Sequence, residues 1–547
     1  MNRGILAISF CITACAIGWI TVQETPYLRL SRAIELFGTI VREINDQYVQ
    51  PIEPDELVNE AIEHMLSKLD PYTEFYREEQ TADLDFLLQG KYIGVGIRLA
   101  TLDSTLTVVG LTEGTSAHRE GVRIGDVVLA IDSIAVTPAI AQEARKYLRG
   151  SVGTTVRLRL LRGTDTFDVR LTREEIVVRN VMYAGIIEGG IGVVRLDRFS
   201  RRAPEEFRSA LDSLRSVHQL RGLIVDIRDN PGGLLEAAVS IAEMFLRPGD
   251  TIVITKNRNG SNQRVYTARS MPYTDTTIPV VVLVNSHSAS ASEILAGALQ
   301  DNDRAVVVGD TTLGKGLVQT VVTLPYNAAL KLTTARYYTP SGRSIQQVHR
   351  FCPDCWIHRG LDTEQQKTFR TLKYRRAIVS GAGIVPDVVL ESADRDSVPP
   401  AIGRTAIVNF ATHYTSRLHS APAAFNQAQL LSAFVRYVEQ SQSASSSVLG
   451  KVQRLADQAR VDEWGQRSVQ HIERLAQLLR AERSRLVYEH GRAIVAALEQ
   501  EIRNRFLTDR QIAMQQEPSD AVVVAAAEIL RSSSYRKFFM TAHGTDR

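Results

Sequence analysis

The sequence predicts a multidomain α/β protein, with a β-rich module and two helical regions around a core of alternating strands and helices. Three observations carry this. Between Gly190 and about Gln347, short apolar runs suited to strands alternate with amphipathic segments suited to helices. From Lys91 to about Leu171, short apolar runs are separated by frequent glycine. At both ends, from Leu28 to Gln89 and beyond Pro400, apolar residues recur at three- and four-residue steps. The 547 residues leave room for three or four domains, and apolar content is ordinary for a globular chain. The formal charge is +3, and no basic run with interleaved aromatics occurs, so nucleic-acid binding has no support.

In order along the chain, residues 1–24 are an export segment. Arg3 precedes an uncharged stretch from Ile5 to Val22, and Glu24 follows it. That length suits a short membrane span, and the charges favour an inside N-terminus with the body exported. Ala14-Cys15-Ala16 reads as a signal-peptidase site and Ile12-Thr-Ala-Cys15 as a lipoprotein box. Apolar residues continue past both, which favours a retained anchor on the periplasmic side of the inner membrane over a cleaved, periplasmic or secreted form. Residues 28–89 read as helical, with Asp70-Pro71 breaking the second helix; a bland helical subdomain or a dimerisation arm fits them, the latter implying a homo-oligomer.

Residues 90–176 form the β-rich module. Strand runs are Ile93–Ile97, Leu106–Val109, Val127–Ile131, Val156–Leu160 and Phe167–Leu171, with short helices over Ser116–Glu120 and Ala139–Leu148. Residues 180–393 form the α/β core. Its predicted strands are Ile191–Leu196, Gly222–Ile227, Val280–Val284 and Ala305–Val308, and its helices Pro204–Val217, Leu234–Leu246 and Ser292–Gln300. Residues 348–380 are an insertion, after which Gly381 to Asp387 returns to the core. The insertion carries Cys352 and Cys355. In an exported protein a local disulfide is the default for such a pair, and flanking His349 and His358 give a spacing that matches no established zinc module. No metal or other cofactor is expected. Residues 400–547 are helical again and suit an oligomerisation or lid module.

Two segments carry chemistry. Asn285-Ser-His-Ser-Ala-Ser-Ala-Ser-Glu293 is a small-residue turn leading into a helix, and Gly314-Lys-Gly-Leu-Val-Gln319 holds one lysine between glycines. A turn from strand to helix exposes a hydroxyl, and a helix N-terminus favours developing negative charge. The residues alone do not choose among Ser288, Ser290 and Ser292. A lysine acts as a base only when neutral, and its free pKa of ~10.4 then demands a desolvating pocket. Gly309-Asp-Thr-Thr-Leu-Gly-Lys-Gly ends in glycine where a phosphate loop needs serine or threonine. No Gly-x-Ser-x-Gly elbow or His-Glu-x-x-His motif occurs, and Ser534-x-x-Lys537 lacks companion motifs.

The β-rich module resembles a PDZ domain of the bacterial protease type, through Gly94-Val-Gly-Ile97 and Gly121-Val-Arg-Ile-Gly-Asp126. From about Asp70 to Asp387 the chain resembles the C-terminal processing peptidases, also called tail-specific proteases. The resemblance rests on Leu69-Asp-Pro-Tyr72, the PDZ blocks, Asp226-Ile-Arg-Asp-Asn-Pro-Gly-Gly233, the serine segment, Gly309 to Gln319 and Tyr337-Tyr-Thr-Pro-Ser-Gly-Arg-Ser-Ile345. It implies a crotonase/ClpP-like protease core and an exported serine endopeptidase acting through an acyl-enzyme. It places the nucleophile at Ser290, the general base at Lys315 and an orienting residue at Gln319. The amides of Gly232, Gly233 and Ala291 would hold the oxyanion. It makes Gly94, Val95, Gly96 and Ile97 the loop that binds a substrate's free C-terminal carboxylate. Arg149 would couple docking to the active site; a solvated basic edge with Arg145, Lys146 and Arg123 is the other reading. The alternative from another class is a catalytically silent PDZ scaffold, which has no need of Ser290, Lys315 and Gln319 together.

Overall fold

The structure is a computed structural model. It describes residues 25–539 apart from 81–88, 103–104, 218, 259, 261, 348–366, 391–397, 417, 419, 441–447 and 463. The export segment, Cys352 and Cys355 lie outside the described residues. Among the described residues no helix is long and apolar enough to cross a membrane.

Residues 25–75 form a unit by themselves. Two helices, Pro26–Gln47 and Pro54–Ser67, each open on proline, whose fixed φ and missing N–H suit a first turn. The first buries none of its side chains, although Leu30, Ile34, Phe37 and Ile40 line one stripe of it. The second helix ends just before Asp70-Pro71, as the sequence predicts. It stops at Ser67, and Asp70 Oδ1 then accepts the Tyr72 and Thr73 N–H groups at 2.8 Å each, folding the chain into a turn.

The β-rich module is an antiparallel sheet in the order Ile97–Leu102, Thr105–Leu111, Val127–Ile131, Thr155–Arg162, Asp165–Thr172. Helix Pro138–Leu148 supplies Ala144 and Leu148 to its core, against Val108, Ile131, Leu158 and Leu160. The predicted strand Ile93–Ile97 is two strands: Lys91–Gly94 pairs with Glu174–Val177, and the chain turns at Gly96 before Ile97–Leu102.

The α/β core holds a six-stranded sheet. Its order is Val181–Ile187, Ile191–Leu196, Gly222–Asp226, Val280–Val284, Val306–Gly309, Val388–Val389. The first pair is antiparallel and the rest are parallel. The last strand is the expected return after the insertion. Strands Gly222–Asp226 and Val280–Val284 are buried at every residue, the signature of a sheet covered on both faces. Alternation along them is visible in what each residue meets. Val280, Val282 and Val284 pack with helices Ala203–Val217, Leu235–Glu243 and Ala291–Asp301, whereas Val281 and Leu283 face the other side. That other face is covered by Val523, Ala526, Ala527 and Leu530 of helix Ala521–Arg531. Part of the tail therefore belongs to the core, which the sequence did not anticipate. A second sheet, with strands Thr251–Asn257, Gln263–Thr267, Leu317–Thr323 and Ala329–Tyr338, carries Gln319 and Tyr337.

The remaining tail packs helices Arg404–Thr415, Gln427–Gln440 and Gly491–Asn504 around Phe410, Phe434, Leu498 and Ile502. It also touches the β-rich module: Arg98 pairs with Asp509 at 3.2 Å, Arg123 donates to Leu418 O at 2.7 Å, and Ile512 packs on that module's core.

Candidate active site

Strand Val280–Val284 ends in a turn that leads into helix Ala291–Asp301, and the three serines of this turn have different fates. Ser288 and Ser292 are fully buried. The Ser288 hydroxyl donates to Ile227 O at 2.8 Å, and that of Ser292 to Asn230 O at 2.9 Å. Both fasten the serine turn to the neighbouring turn 227–233. Ser290 is partly exposed and sits at the helix N-cap with φ 55° and ψ −113°. For a residue with a Cβ this backbone costs on the order of 1–3 kcal/mol, so the surroundings must impose it.

Glu293 is the main constraint. Its carboxyl is fully buried and accepts four hydrogen bonds. Oε1 takes the Thr312 hydroxyl at 2.6 Å and the Gly314 N–H at 2.7 Å; Oε2 takes the Ser290 N–H at 2.8 Å and the Lys315 N–H at 2.9 Å. Burial pushes the carboxyl up from its ordinary range, and the four donors pull against that. Tyr337 adds a second link, because its hydroxyl lies 2.6 Å from Lys315 O and 3.0 Å from Ser290 O. One carboxylate and one phenol thus fix the backbones of Ser290 and Lys315 against each other. Lys315 Nζ donates to Gln319 Oε1 at 3.1 Å. Gly314, at φ 83°, leaves no room for a side chain: a Cβ there would lie 2.7 Å from Gln347 Cβ.

The turn after strand Gly222–Asp226 lies directly against Ser290. A Cβ on Gly232 would sit 2.6 Å from Ala289 O and 3.0 Å from Ser290 Cβ. The Gly232 N–H does not point at a free oxyanion position as expected. It donates to Asn230 Oδ1 at 2.9 Å, because buried Asn230 braces the turn through Leu196 O as well. Among the described residues the Gly233 and Ala291 N–H groups make no hydrogen bond, which leaves two of the three expected donors. His287 is exposed; its ring Nδ1 lies 3.3 Å from Asp229 Oδ1, and its N–H donates to Asn285 Oδ1 at 3.1 Å.

The expected peptide loop borders a separate cavity of about 360 Å³. Gly94, Val95, Ile97 and Arg149 line it, joined by Arg198 of the core and Asp509 of the tail. Gly96 does not line it; its carbonyl accepts the Thr112 N–H at 2.9 Å.

Comparison with known proteins matches three regions of the chain. The model of peptidase family S41 matches residues 190–356, that of the PDZ domain 93–172, and that of the "Probable PDZ-protease, C-terminal helical domain" 402–530. The chain is 37% identical to the carboxy-terminal-processing protease of Bartonella bacilliformis, over 62% of this chain and 77% of that one. The chain belongs to the carboxy-terminal processing proteases. It is 39% identical to the carboxyl-terminal-processing protease of Picosynechococcus, over 55% of this chain and 73% of the relative. Among solved structures it is similar to a photosystem II D1 C-terminal processing protease, at 26% identity and a TM-score of 0.39, over 70% of this chain and 97% of the other. As a carboxy-terminal processing protease it is a serine-type peptidase with a PDZ domain and a C-terminal helical domain.

Glu293 and Tyr337 of this processing protease were not singled out from sequence. A signal for Glu293 was present, since Ser290-x-x-Glu293 has the spacing of a capping box before a helix. Tyr337 opens the motif Tyr337 to Ile345, but its partners, the Ser290 and Lys315 carbonyls, lie in other segments.

Proposed function

We propose that the protein is an exported serine endopeptidase that reads substrate C-termini through its PDZ domain and cleaves with a Ser290–Lys315 dyad. The observation that carries the dyad is the shared Glu293 carboxylate, whose Oε2 accepts both the Ser290 and the Lys315 N–H groups. In the reaction Lys315 Nζ takes the Ser290 proton as Oγ attacks the scissile carbonyl carbon. The carbonyl π electrons move to oxygen, and the amides of Gly233 and Ala291 stabilise the oxyanion. Collapse of this intermediate expels the amine, which takes a proton from Lys315. Water, deprotonated by Lys315, then releases the acyl group and restores Ser290. Gln319 orients the amine through its 3.1 Å hydrogen bond.

The loop Gly94–Ile97 and Arg149 take the carboxylate of the substrate tail. The mostly parallel sheet, with three helices on one face and helix Ala521–Arg531 on the other, supports a crotonase/ClpP-like core. Residues 1–24 anchor the protein at the periplasmic side of the inner membrane, Cys352 and Cys355 pair in the insertion, and the N-terminal helices join copies of the chain. The test digests a library of unfolded peptides, with free and with amidated C-termini, using wild type and Ser290→Ala. Cleavage of free-ended peptides by wild type alone is the expected result. Equal cleavage by Ser290→Ala overturns the nucleophile, and equal cleavage of both ends overturns tail reading.

A further inference from the structure

The turn beside Ser290 is reached through the end of strand Gly222–Asp226, and there the helical domain contributes a carboxyl group. Asp226 and Glu517 are both essentially fully buried. Arg228 folds back on Asp226, its Nε lying 3.0 and 2.9 Å from the two carboxylate oxygens, and its Nη1 reaches Asp520 at 3.0 Å. Glu517 stands in the short turn Glu517–Ser519, just before helix Ala521–Arg531. Its Oε2 accepts from Arg195 Nη1 at 3.2 Å, and Arg195 also pairs with Asp197 at 2.9 Å. Glu517 Oε1 is buried, lies 3.9 Å from the Arg228 guanidinium and accepts no hydrogen bond among the described residues.

Two guanidiniums therefore meet four carboxyl groups, Asp197, Asp226, Asp520 and Glu517, with the Tyr183 phenol also facing Glu517. Asp226 and Glu517 are the buried pair, whereas the Asp197 and Asp520 side chains are 35% and 34% exposed; with all four ionised the cluster would carry a net negative charge. A buried carboxyl oxygen without a donor, beside a second carboxylate, is what a protonated acid leaves when its own O–H is the donor. We propose that Glu517 is a positioning residue that acts as a carboxylic acid, donating its proton to Asp226 and thereby fixing Arg228 and the turn 229–233 that faces Ser290. Burial, and next the charge of Asp226, push Glu517 up to about 8, whereas Arg228 holds Asp226 low against the effect of its own burial. Folding is therefore most favoured with respect to Glu517 below its ordinary value of ~4.3 and weakens as pH rises to about 8, where the shared proton is lost. The helical domain is then part of what sets the oxyanion turn. This rests on the reading of that turn given above.

The test measures kcat and KM from pH 6 to 10 for the full-length wild type, Glu517→Gln, Glu517→Ala and Ser290→Ala, with thermal melts at each pH. Wild-type kcat is expected to fall above about pH 8, approaching tenfold per unit. Glu517→Gln keeps an N–H donor toward Asp226, so it retains roughly a third or more of kcat at pH 7 and lacks that alkaline fall. Glu517→Ala loses roughly tenfold or more in kcat with KM changed less than about threefold. A protonated-carboxyl infrared band present in wild type at pH 7 is absent from Glu517→Gln. An alkaline limb in Glu517→Gln identical to wild type, or no such band to lose, overturns the proposal even if Glu517→Ala does not fold. Undiminished cleavage by Ser290→Ala strikes instead at the site reading beneath it.

Discussion

The serine turn and the peptide groove solve opposite problems with the same materials. Around Ser290 every element is tied: Ser288, Ser292, Asn230, Glu293 and Tyr337 each bond backbone from another segment. The groove is an open cavity of about 360 Å³ whose walls come from the PDZ domain, the core and the helical domain. Chemistry on a backbone amide needs atoms fixed within fractions of an ångström, and the buried turn supplies that. Recognition of varied tails needs donors and room, and a groove with Arg98, Arg149 and Arg198 supplies those. Perturbing the first should abolish function or folding outright; perturbing the second should only grade it.

The sharpest break is at the dyad. Ser290→Ala and Lys315→Ala are each expected to lower kcat/KM by about a thousandfold or more, with melting temperature within a few degrees of wild type, since neither half suffices alone. Cleavage should also rise from acidic toward mildly alkaline pH before the loss assigned to Glu517, and a profile flat from about pH 5 to 8 would remove lysine as the base. Next comes Glu293→Ala. It strands four donors in a buried site, so urea melts should show a loss of roughly 2–4 kcal/mol along with loss of cleavage. If its stability matches wild type, the turn is not the tied structure described above.

The groove should respond more gently. Arg149→Ala, assayed on one free-ended peptide, is expected to lower kcat/KM by roughly ten- to a hundredfold, the worth of a charge-assisted contact, and to leave an amidated peptide unaffected. Asp509→Asn is the smallest change. Arg98, its partner, is 63% exposed, so losing the pair should shift KM by no more than about fivefold. Burial pushes the Asp509 carboxyl up, so folding is favoured most below the ordinary aspartate value of ~3.9 and weakens as pH rises through the folded one. Asp509→Asn should flatten that slope in melts taken from pH 3 to 7. A hundredfold effect on KM would place Asp509 among the recognition residues.

Sequence pattern made the core strands legible because each is a short apolar run between turn signals, and Val280–Val284 is apolar throughout. The strands Leu317–Thr323 and Ala329–Tyr338 were missed because they are half exposed and mix polar residues on both faces. Ser290, Lys315 and Gln319 were proposed through their motifs, and the structure adds what motifs cannot carry. Ser288 and Ser292 are sequestered by carbonyls more than sixty positions away in sequence, and Gly232 loses its N–H to an asparagine two residues earlier. Glu517 was beyond reach, because its partners Arg195 and Arg228 lie about three hundred residues back and nothing near it marks a buried acid. Long-range pairing of this kind leaves no local period to read.

Helix Ala521–Arg531 has a consequence for how the molecule comes into being. Its Leu530 lies against Gly222, and its Val523 and Ala527 share a hydrophobic cluster with strands that leave the ribosome long before it. At ordinary synthesis rates the interval from strand Val306–Gly309 is on the order of tens of seconds, during which one face of the sheet stays uncovered. Cleavage is therefore expected to be absent until that distant segment closes the sheet. A nascent chain interrupted before residue 521 should bind holdase chaperones and leave neighbouring polypeptides uncut.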